Sequence, residues 1–317
     1  MKSLSNCLYI VIPCYNEQEV LYSTADSIGE KMRALTSSGK TSANSRIVFV
    51  DDGSADNTWT IISELHNKSE IYCGVRLDSN VGHQNAVMAG LMYSKDKADI
   101  IITIDADLQD DPDAIDEMIE KYSQGFEVVC GVRRKRDKDS FFKRFTAEGY
   151  YKLLRLLGCK IIFNHADYRL MSARAVKHLS NYDERGLFLR GLVPGLGFNI
   201  ATVEYDRTER LAGETKYTAS KMLALASDGI TSMSAKPVRI ILTAGIVISI
   251  IAFLALIASL ILLICGASAS HFLIILSSIW LFGGLLLFAV GVVGEYVTKT
   301  LTESKRRPRY FIGSILD

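Results

Sequence analysis

Five carboxylates crowd the nine residues from Asp105 to Asp113, namely Asp105, Asp107, Asp110, Asp111 and Asp113, directly behind the apolar run 100–104. Carboxylates at this density repel one another unless a cation sits among them. Mg²⁺ and Mn²⁺ suit the place, because hard cations take oxygen ligands and commonly bind through one or two carboxylates together with substrate phosphates. Asp105-Ala106-Asp107 supplies two carboxylates in one short turn with a small residue between them, and Gln109 adds an amide oxygen or orients a water. Asp110, Asp111 and Asp113 have a plainer reading: they flank Pro112 at a helix start, where acidic side chains are favoured.

The elements that must position these residues follow from periodicity. Short apolar runs rich in Ile and Val, at 9–12, 47–50, 71–77, 100–104 and 128–129, alternate with longer segments of helical period. This alternation predicts an α/β fold with a mainly parallel, Rossmann-like sheet and helices on both faces. Ligands bind such sheets beyond the carboxyl ends of the strands. The segments found there are PCYNE (13–17), DDGS (51–54), NVGHQNA (80–86), DADLQ (105–109) and GVRR (131–134), so that Glu17, Asp51, Asp52, Asp105 and Asp107 are expected to share one cleft.

No GxxxxGK[ST] is present, and Gly195-Leu196-Gly197 follows a proline outside the βα alternation, so neither a P-loop nor a Rossmann dehydrogenase is supported. A nucleotide can instead be held by carboxylates that accept from ribose hydroxyls and base N–H groups. Glu17, Asp51 and Asp52 are placed for that role, and Asn80-Val81-Gly82 reads as a tight turn before a helix, where backbone amides approach a ligand. The alternative for Gly53 and Gly82 is an ordinary turn glycine. His83 and His165 lie near these loops without metal-ligand spacing and are read as structural; the polar loop 36–45 carries no assignment.

The chain has 317 residues and a formal net charge of +1, which argues against a dedicated nucleic-acid binder. That average hides a division. Runs of 26 residues (240–265) and 22 residues (272–293) contain no charged side chain, and about 20 residues suffice to cross a bilayer as a helix. They predict a transmembrane hairpin (236–297) behind a domain spanning 1–235. Lys236 and Arg239 before it, and Lys299, Lys305, Arg306, Arg307 and Arg309 after it, place both flanks in the cytoplasm, in the inner (plasma) membrane, with 298–317 as a basic tail that contacts anionic lipid. Residues 141–157 read as an amphipathic helix, either in the headgroup plane or packed on the sheet, with Phe142, Phe145, Leu153, Leu156 and Leu157 on one face. No signal peptide is evident, and the scattered Cys7, Cys14, Cys73, Cys130, Cys159 and Cys265 fit a reducing compartment rather than zinc or disulfides.

PCYNE, DDGS, the NxG turn and DADLQ, in this order and spacing, resemble the family-2 glycosyltransferases with a GT-A fold. ADYRLM (166–171), ERGLFLRGLVPGLGF (184–198), RTERLAGETKY (207–217) and the two uncharged runs narrow the likeness to the polyprenyl-phosphate glycosyltransferases, most closely the bactoprenol glucosyltransferases, over nearly the whole chain. The resemblance implies inverting transfer of a hexose from a nucleotide sugar, UDP-glucose first among them, to undecaprenyl phosphate, with Mg²⁺ or Mn²⁺ and assembly of some relatives as tetramers. It implies that Pro13, Tyr15, Glu17 and Asp52 line the nucleotide pocket and that Asp105, Asp107 and Gln109 hold the metal. Asp167 matches a carboxylate proposed as catalytic.

The acceptor of such a reaction is a phosphate monoester with a second pKa of about 6, already a nucleophile at neutral pH, so Asp167 need not act as a base and is open to a positioning role or a simple pair with Arg169. Cations must hold that phosphate. Arg133, nearest a strand end, and Arg210 and Lys216, which also match the family motif, are the candidates. Galactose, N-acetylhexosamine and aminoarabinose donors remain open, because they differ at one or two hydroxyls. A processive polysaccharide synthase is disfavoured, since Trp59 and Trp280 are the only tryptophans and neither lies in QxxRW. A non-catalytic membrane-anchored nucleotide-sugar sensor would have no need of the acceptor-side cations.

Overall fold

The computed structural model describes residues 6–134, 165–184, 187–206 and 271–317. The expected helix at 141–157, the run 240–265, and Arg210 and Lys216 lie outside the described residues.

Every residue of β1 (Leu8–Cys14) is buried, as a strand covered on both faces requires. Alternate side chains go to opposite faces. Leu8, Ile10 and Ile12 join Ile47 and Phe49 of β2 (Arg46–Asp51) and Ile100 and Ile102 of β4 (Ile100–Thr103) in one core. Tyr9, Val11, Val48, Val50 and Ile101 enter the other. The first core is closed by α1 (Leu21–Ser37), α2 (Thr58–Lys68) and α4 (Ala114–Ser123); α1 turns Leu21, Ala25, Ile28, Met32 and Leu35 inward at three- and four-residue steps. The second is closed by α3 (His83–Ser94), α5 (Ala173–Leu179) and α6 (Leu189–Gly195). In α3 the whole stretch from Ala86 to Leu91 is buried, and a Cβ on Gly90 would stand 2.3 Å from Val11 Cγ1. Glycine there lets the helix lie directly on β1 and β2.

With β3 (Tyr72–Leu77), β5 (Val128–Arg133), β6 (His165–Ser172), β7 (Ile200–Tyr205) and β8 (Ile312–Leu316), the sheet has eight strands in the order β7-β5-β6-β4-β1-β2-β3-β8. The block β3-β2-β1-β4 is parallel, as is β5 with β7, whereas β6 runs antiparallel between β4 and β5, and β8 antiparallel on β3. All five expected strands form, within a mixed and mainly parallel α/β sheet. Strand order reverses between β1 and β4, which makes their carboxyl ends the natural ligand crevice. The reversed β6 brings its first residues to that same edge, with Arg169 paired to Thr103 of β4.

The chain end departs from its sequence reading. Among the described residues no helix is long and apolar enough to cross a membrane, so the expected hairpin is not found there. Its first run lies outside the described residues, and its second falls within α7 (His271–Ser304), which continues past the uncharged stretch through Glu295, Lys299 and Glu303. The segment 298–317, expected as a basic tail, is built into the fold. It completes α7 and then forms β8, whose short Ile312-Gly313-Ser314-Ile315-Leu316 signal was overshadowed by the adjacent basic run. Arg309 turns inward to donate to the Tyr182 carbonyl, while the Tyr93 hydroxyl and Lys97 ammonium hold the Asp317 carboxylate at 2.5 and 2.6 Å.

Candidate active site

The two loops beyond β1 and β2 are laced together. Asn16, in the left-handed region at φ 52°, donates its amide to Ser54 Oγ and accepts from the Ala55 amide at 2.9 Å. The Glu17 amide donates to Thr58 Oγ1, and the Glu17 carbonyl accepts from Val20 and Leu21 at the entry to α1. Pro13 is buried inside β1, Tyr15 is 39% exposed, Glu17 is half-buried and Asn80 is exposed.

Asp51 and Asp52 both make contacts within the protein. Asp51 is fully buried; one oxygen accepts from the Ser54 amide and the other stands 3.6 Å from Arg76 Nε. Asp52 gives both oxygens to backbone amides, Val81 at 2.8 Å and Gly82 at 3.0 Å. Burial raises the Asp52 pKa against the pull of these two amides. Through these bonds the pair ties the crevice loops together. Gly53 completes the arrangement: it sits at φ 65°, and a Cβ there would be 2.6 Å from the Ser79 carbonyl carbon. Because Asp52 grips Val81 and Gly82, it also fixes the start of α3, where His83 stands.

The DADLQ turn leaves β4 at the crevice. Thr24 of α1 donates its hydroxyl to the Ala106 carbonyl at 2.6 Å, Leu108 adopts φ 52°, and the Gln109 amide donates to Asp107 Oδ1 at 3.2 Å. Asp105, Asp107 and Gln109 therefore occupy one tight turn. Burial pushes the Asp105 pKa up to about 6, and the carboxylates of Asp110, Asp167 and Asp107 push the same way against the opposing pull of His83. A carboxyl so strained by like charges is one whose ionised form a cation would stabilise. Among the described residues no group of three or more His, Cys, Asp or Glu side chains is arranged to hold a metal. The donor set fits a hard divalent ion that completes its shell with water and substrate phosphate.

Across the crevice, the start of β6 presents Asp167. Arg169 donates to its Oδ1, and Arg190 of α6 donates to its Oδ2 from Nε at 3.2 Å and Nη2 at 2.9 Å. Burial would raise the Asp167 pKa, but Arg190, Arg169 and His83 together hold it well below the ordinary carboxylate range. His83 Nε2 stands between the two walls, 3.6 Å from Asp105 Oδ1 and 3.8 Å from Asp167 Oδ2. Neither distance is a hydrogen bond. Asp105, Asp167, His83 and Arg190 thus share one small volume at the reversal of strand order.

The family model described as "Glycosyl transferase family 2" matches residues 9–180, which span the two laced loops, the DADLQ turn and Asp167. The chain belongs to glycosyl transferase family 2. It is 45% identical over 98% of its length to the "Uncharacterized glycosyltransferase YkoT" of Bacillus subtilis, 93% of which is covered. It is 37% identical over 96% of its length to the "Prophage bactoprenol glucosyl transferase homolog" of Escherichia coli, 97% of which is covered. To the "Bactoprenol glucosyl transferase" of Shigella phage SfX it is 36% identical, over 96% of this chain and 98% of that one. The protein is a glycosyltransferase.

In this glycosyltransferase, Arg133 pairs with a different carboxylate from Arg169 and Arg190. Its guanidinium lies 3.3 Å from Asp110 Oδ1 through Nη2, and 3.4 Å from the Tyr205 hydroxyl through Nε. Tyr205 donates to the same Asp110 oxygen at 2.5 Å, and Tyr168 donates to the Asp111 carbonyl at 3.1 Å. Asp110, only 1% exposed, therefore anchors the back of the DADLQ turn to β5 and β7 instead of starting a helix. Asp113 does precede α4, without a capping bond from its side chain.

Four residues of this assembly carry no functional role in the sequence reading. His83 is separated from Asp105 by 22 residues, which hides their contact. Gln84 bridges α3 and α6, with its Nε2 3.4 Å from Asp167 Oδ2 and its Oε1 accepting from the Leu189 amide at 3.2 Å. Arg190 lay within the quoted segment 184–198 but carried no role, and Tyr205 ends a strand that was not foreseen.

Proposed function

We propose that this glycosyltransferase moves a hexose, glucose from UDP-glucose first among the candidates, with inversion onto the phosphate of undecaprenyl phosphate. The observation that carries the proposal is the division of the crevice: a carboxylate-rich turn on one wall, and on the other, among the described residues, the Asp167 carboxylate with two guanidiniums on it, with His83 between the walls. One wall suits a cation with a diphosphate, the other an anionic acceptor. Relatives named bactoprenol glucosyl transferase, matched along nearly their whole length, support the acceptor class.

Asp105 and Asp107, with Gln109 beside them, are the residues to hold Mg²⁺ or Mn²⁺, which when bound neutralises the leaving diphosphate as a Lewis acid. Tyr15, Glu17 and Asn80 border the nucleotide side. Asp51 and Asp52 keep the loops there in register. The acceptor is a dianion near neutral pH and needs little proton removal. Asp167, its oxygens engaged by arginines, orients groups instead of taking a proton.

The sequence supports attachment to the plasma membrane through the runs 240–265 and 272–293, with the catalytic domain cytoplasmic, because the flanking charge is basic on that side. That geometry would deliver a membrane-borne acceptor to the crevice.

Radiolabel transfer from a panel of nucleotide sugars into organic-extractable lipid tests the proposal, using purified protein, undecaprenyl phosphate and Mg²⁺ with an EDTA control. EDTA-sensitive label from UDP-glucose alone is expected. Label from another donor would replace the sugar and keep the reaction. No transfer from any donor, with nucleotide still bound, would favour a sensor.

A further inference from the structure

We infer that Arg190 is a direct ligand of the acceptor's phosphate group and that Asp167 is the residue that positions it. The inference rests on the proposed acceptor class and goes beyond it by naming the group that binds the anion.

Three observations converge. The first is accessibility. Of the two guanidiniums on Asp167, Arg169 is 1% exposed and sealed beneath the strand edge, whereas the Arg190 side chain keeps 31% of its surface open. Only Arg190 can touch a ligand, while Arg169 contributes charge from below. Its Nε and Nη1 have no hydrogen-bond partner among the described residues. The second is charge: among the described residues two guanidiniums, Arg169 and Arg190, stand on the one carboxylate of Asp167, across from Asp105 and Asp107. A guanidinium presents five N–H donors in a planar fork suited to phosphate oxygens, and Asp167 engages Arg190 through two of its nitrogens. The third is bracing. Gln84 accepts from the Leu189 amide and donates to Asp167, which ties the start of α6, beside Arg190, to the start of α3, beside His83. Arg133, the cation that sequence reasoning placed on the phosphate, is turned towards buried Asp110 instead.

The competing role for Asp167, removal of a proton from the acceptor, is poorly served by this geometry. Both of its oxygens already accept from cationic donors, and a carboxylate held in that way is a weaker base than a free one. A phosphate dianion has no proton to lose. What it needs is a fixed cation at the right distance from the sugar.

The test measures binding apart from turnover. Full-length protein in detergent is titrated calorimetrically with farnesyl phosphate, and separately with UDP, both in Mg²⁺. Arg190→Gln is expected to weaken farnesyl phosphate binding at least about tenfold, the loss of a charge-assisted contact, with UDP affinity unchanged. Arg190→Lys should recover part of that affinity and serves where the glutamine variant folds poorly. Asp167→Asn should shift acceptor binding in the same direction and raise the KM for undecaprenyl phosphate while turnover persists at saturating acceptor. Unchanged farnesyl phosphate affinity in Arg190→Gln, or a loss confined to UDP, overturns the assignment of Arg190 and leaves the proposed reaction standing. An Asp167→Asn protein that binds acceptor normally but does not turn over would restore Asp167 as the base. Wild-type protein that binds no prenyl phosphate would overturn the acceptor class itself, and this inference with it.

Discussion

Arg190 meets Asp167 through two nitrogens, Nε at 3.2 Å and Nη2 at 2.9 Å, both on the one carboxylate oxygen that also lies nearest His83. The other oxygen belongs to buried Arg169. The carboxylate therefore holds two cations at once, and removing it strands one of them in the interior. Asp167→Ala is expected to destabilise the protein by about 3–5 kcal/mol, the usual consequence of leaving a buried charge without its partner. Asp167→Asn, which keeps shape and one acceptor oxygen, should cost less. Urea unfolding of both variants checks the order. The sign with pH follows: because the folded pKa of Asp167 is depressed, its contribution is present above the ordinary carboxylate range and is lost as pH falls towards the depressed value. Equal stability of wild type and Asp167→Ala at pH 7 would mean that the pair is not formed in solution.

Asp107 shares its turn with Asp105 and fixes that turn through the Gln109 amide. Asp107→Asn keeps an oxygen able to accept the same bond, so the fold should survive while one anionic ligand disappears. Mn²⁺ binding, followed by electron paramagnetic resonance, should weaken at least about tenfold and metal-dependent transfer should be abolished. Undiminished Mn²⁺ binding in this variant would move the metal away from the turn.

Asp105 makes the opposite pH prediction to Asp167. Its folded pKa is raised to about 6, so in the metal-free protein the native state holds a proton that the unfolded chain releases nearer the ordinary value of 3.8. Stability from this group is therefore largest at low pH and falls as pH rises through about 6, by linkage. Metal binding reverses the balance, because the ion favours the ionised carboxylate. The thermal shift produced by Mn²⁺ should accordingly be small at pH 5 and grow between pH 5 and 7. Asp105→Asn should flatten that growth. A shift independent of pH in wild type would show that Asp105 does not titrate in this range.

How much of this was legible in the sequence depended on how local each signal was. The DADLQ turn could be read because a buried strand ended in carboxylates with no apolar partner, and the rule that ligands gather at strand ends then brought PCYNE and DDGS to the same crevice. That rule fails for β6. An antiparallel strand presents its first residues at the edge where parallel strands present their last, so Asp167 was visible only through resemblance, and its partner Arg190, 23 residues on, was not visible at all. Asp110 was misread because Pro112 gave a plausible local reason for it, whereas its real partners, Arg133 and Tyr205, come from distant strands. Asp52 has a structural task that the sequence did not announce. Nothing in DDGS tells that its second carboxylate is consumed by the amides of Val81 and Gly82.

The chain end offers the last test, because β8 converts β3 from an edge strand into an interior one. Its pairing runs from Gly74 with Leu316 to Leu77 with Ile312, and Asp317 locks the end by accepting from Tyr93 and Lys97. Deleting residues 310–317 would expose a row of unpaired amides and carbonyls on β3, uncover the side of Gly74 that meets Leu316, and leave Tyr93 and Lys97 without their carboxylate. An unprotected strand edge of this kind recruits other chains. The truncated protein should melt several degrees lower and form larger species on size exclusion, whereas Asp317→Asn should show a smaller drop without aggregation, since the backbone ladder is kept. The reversal of strand order between β1 and β4 lies in the middle of the sheet, with β2 between it and β3, so UDP affinity of the surviving monomer should be retained. If truncation left melting and size unchanged, β8 would be a dispensable appendage and β3 a natural edge.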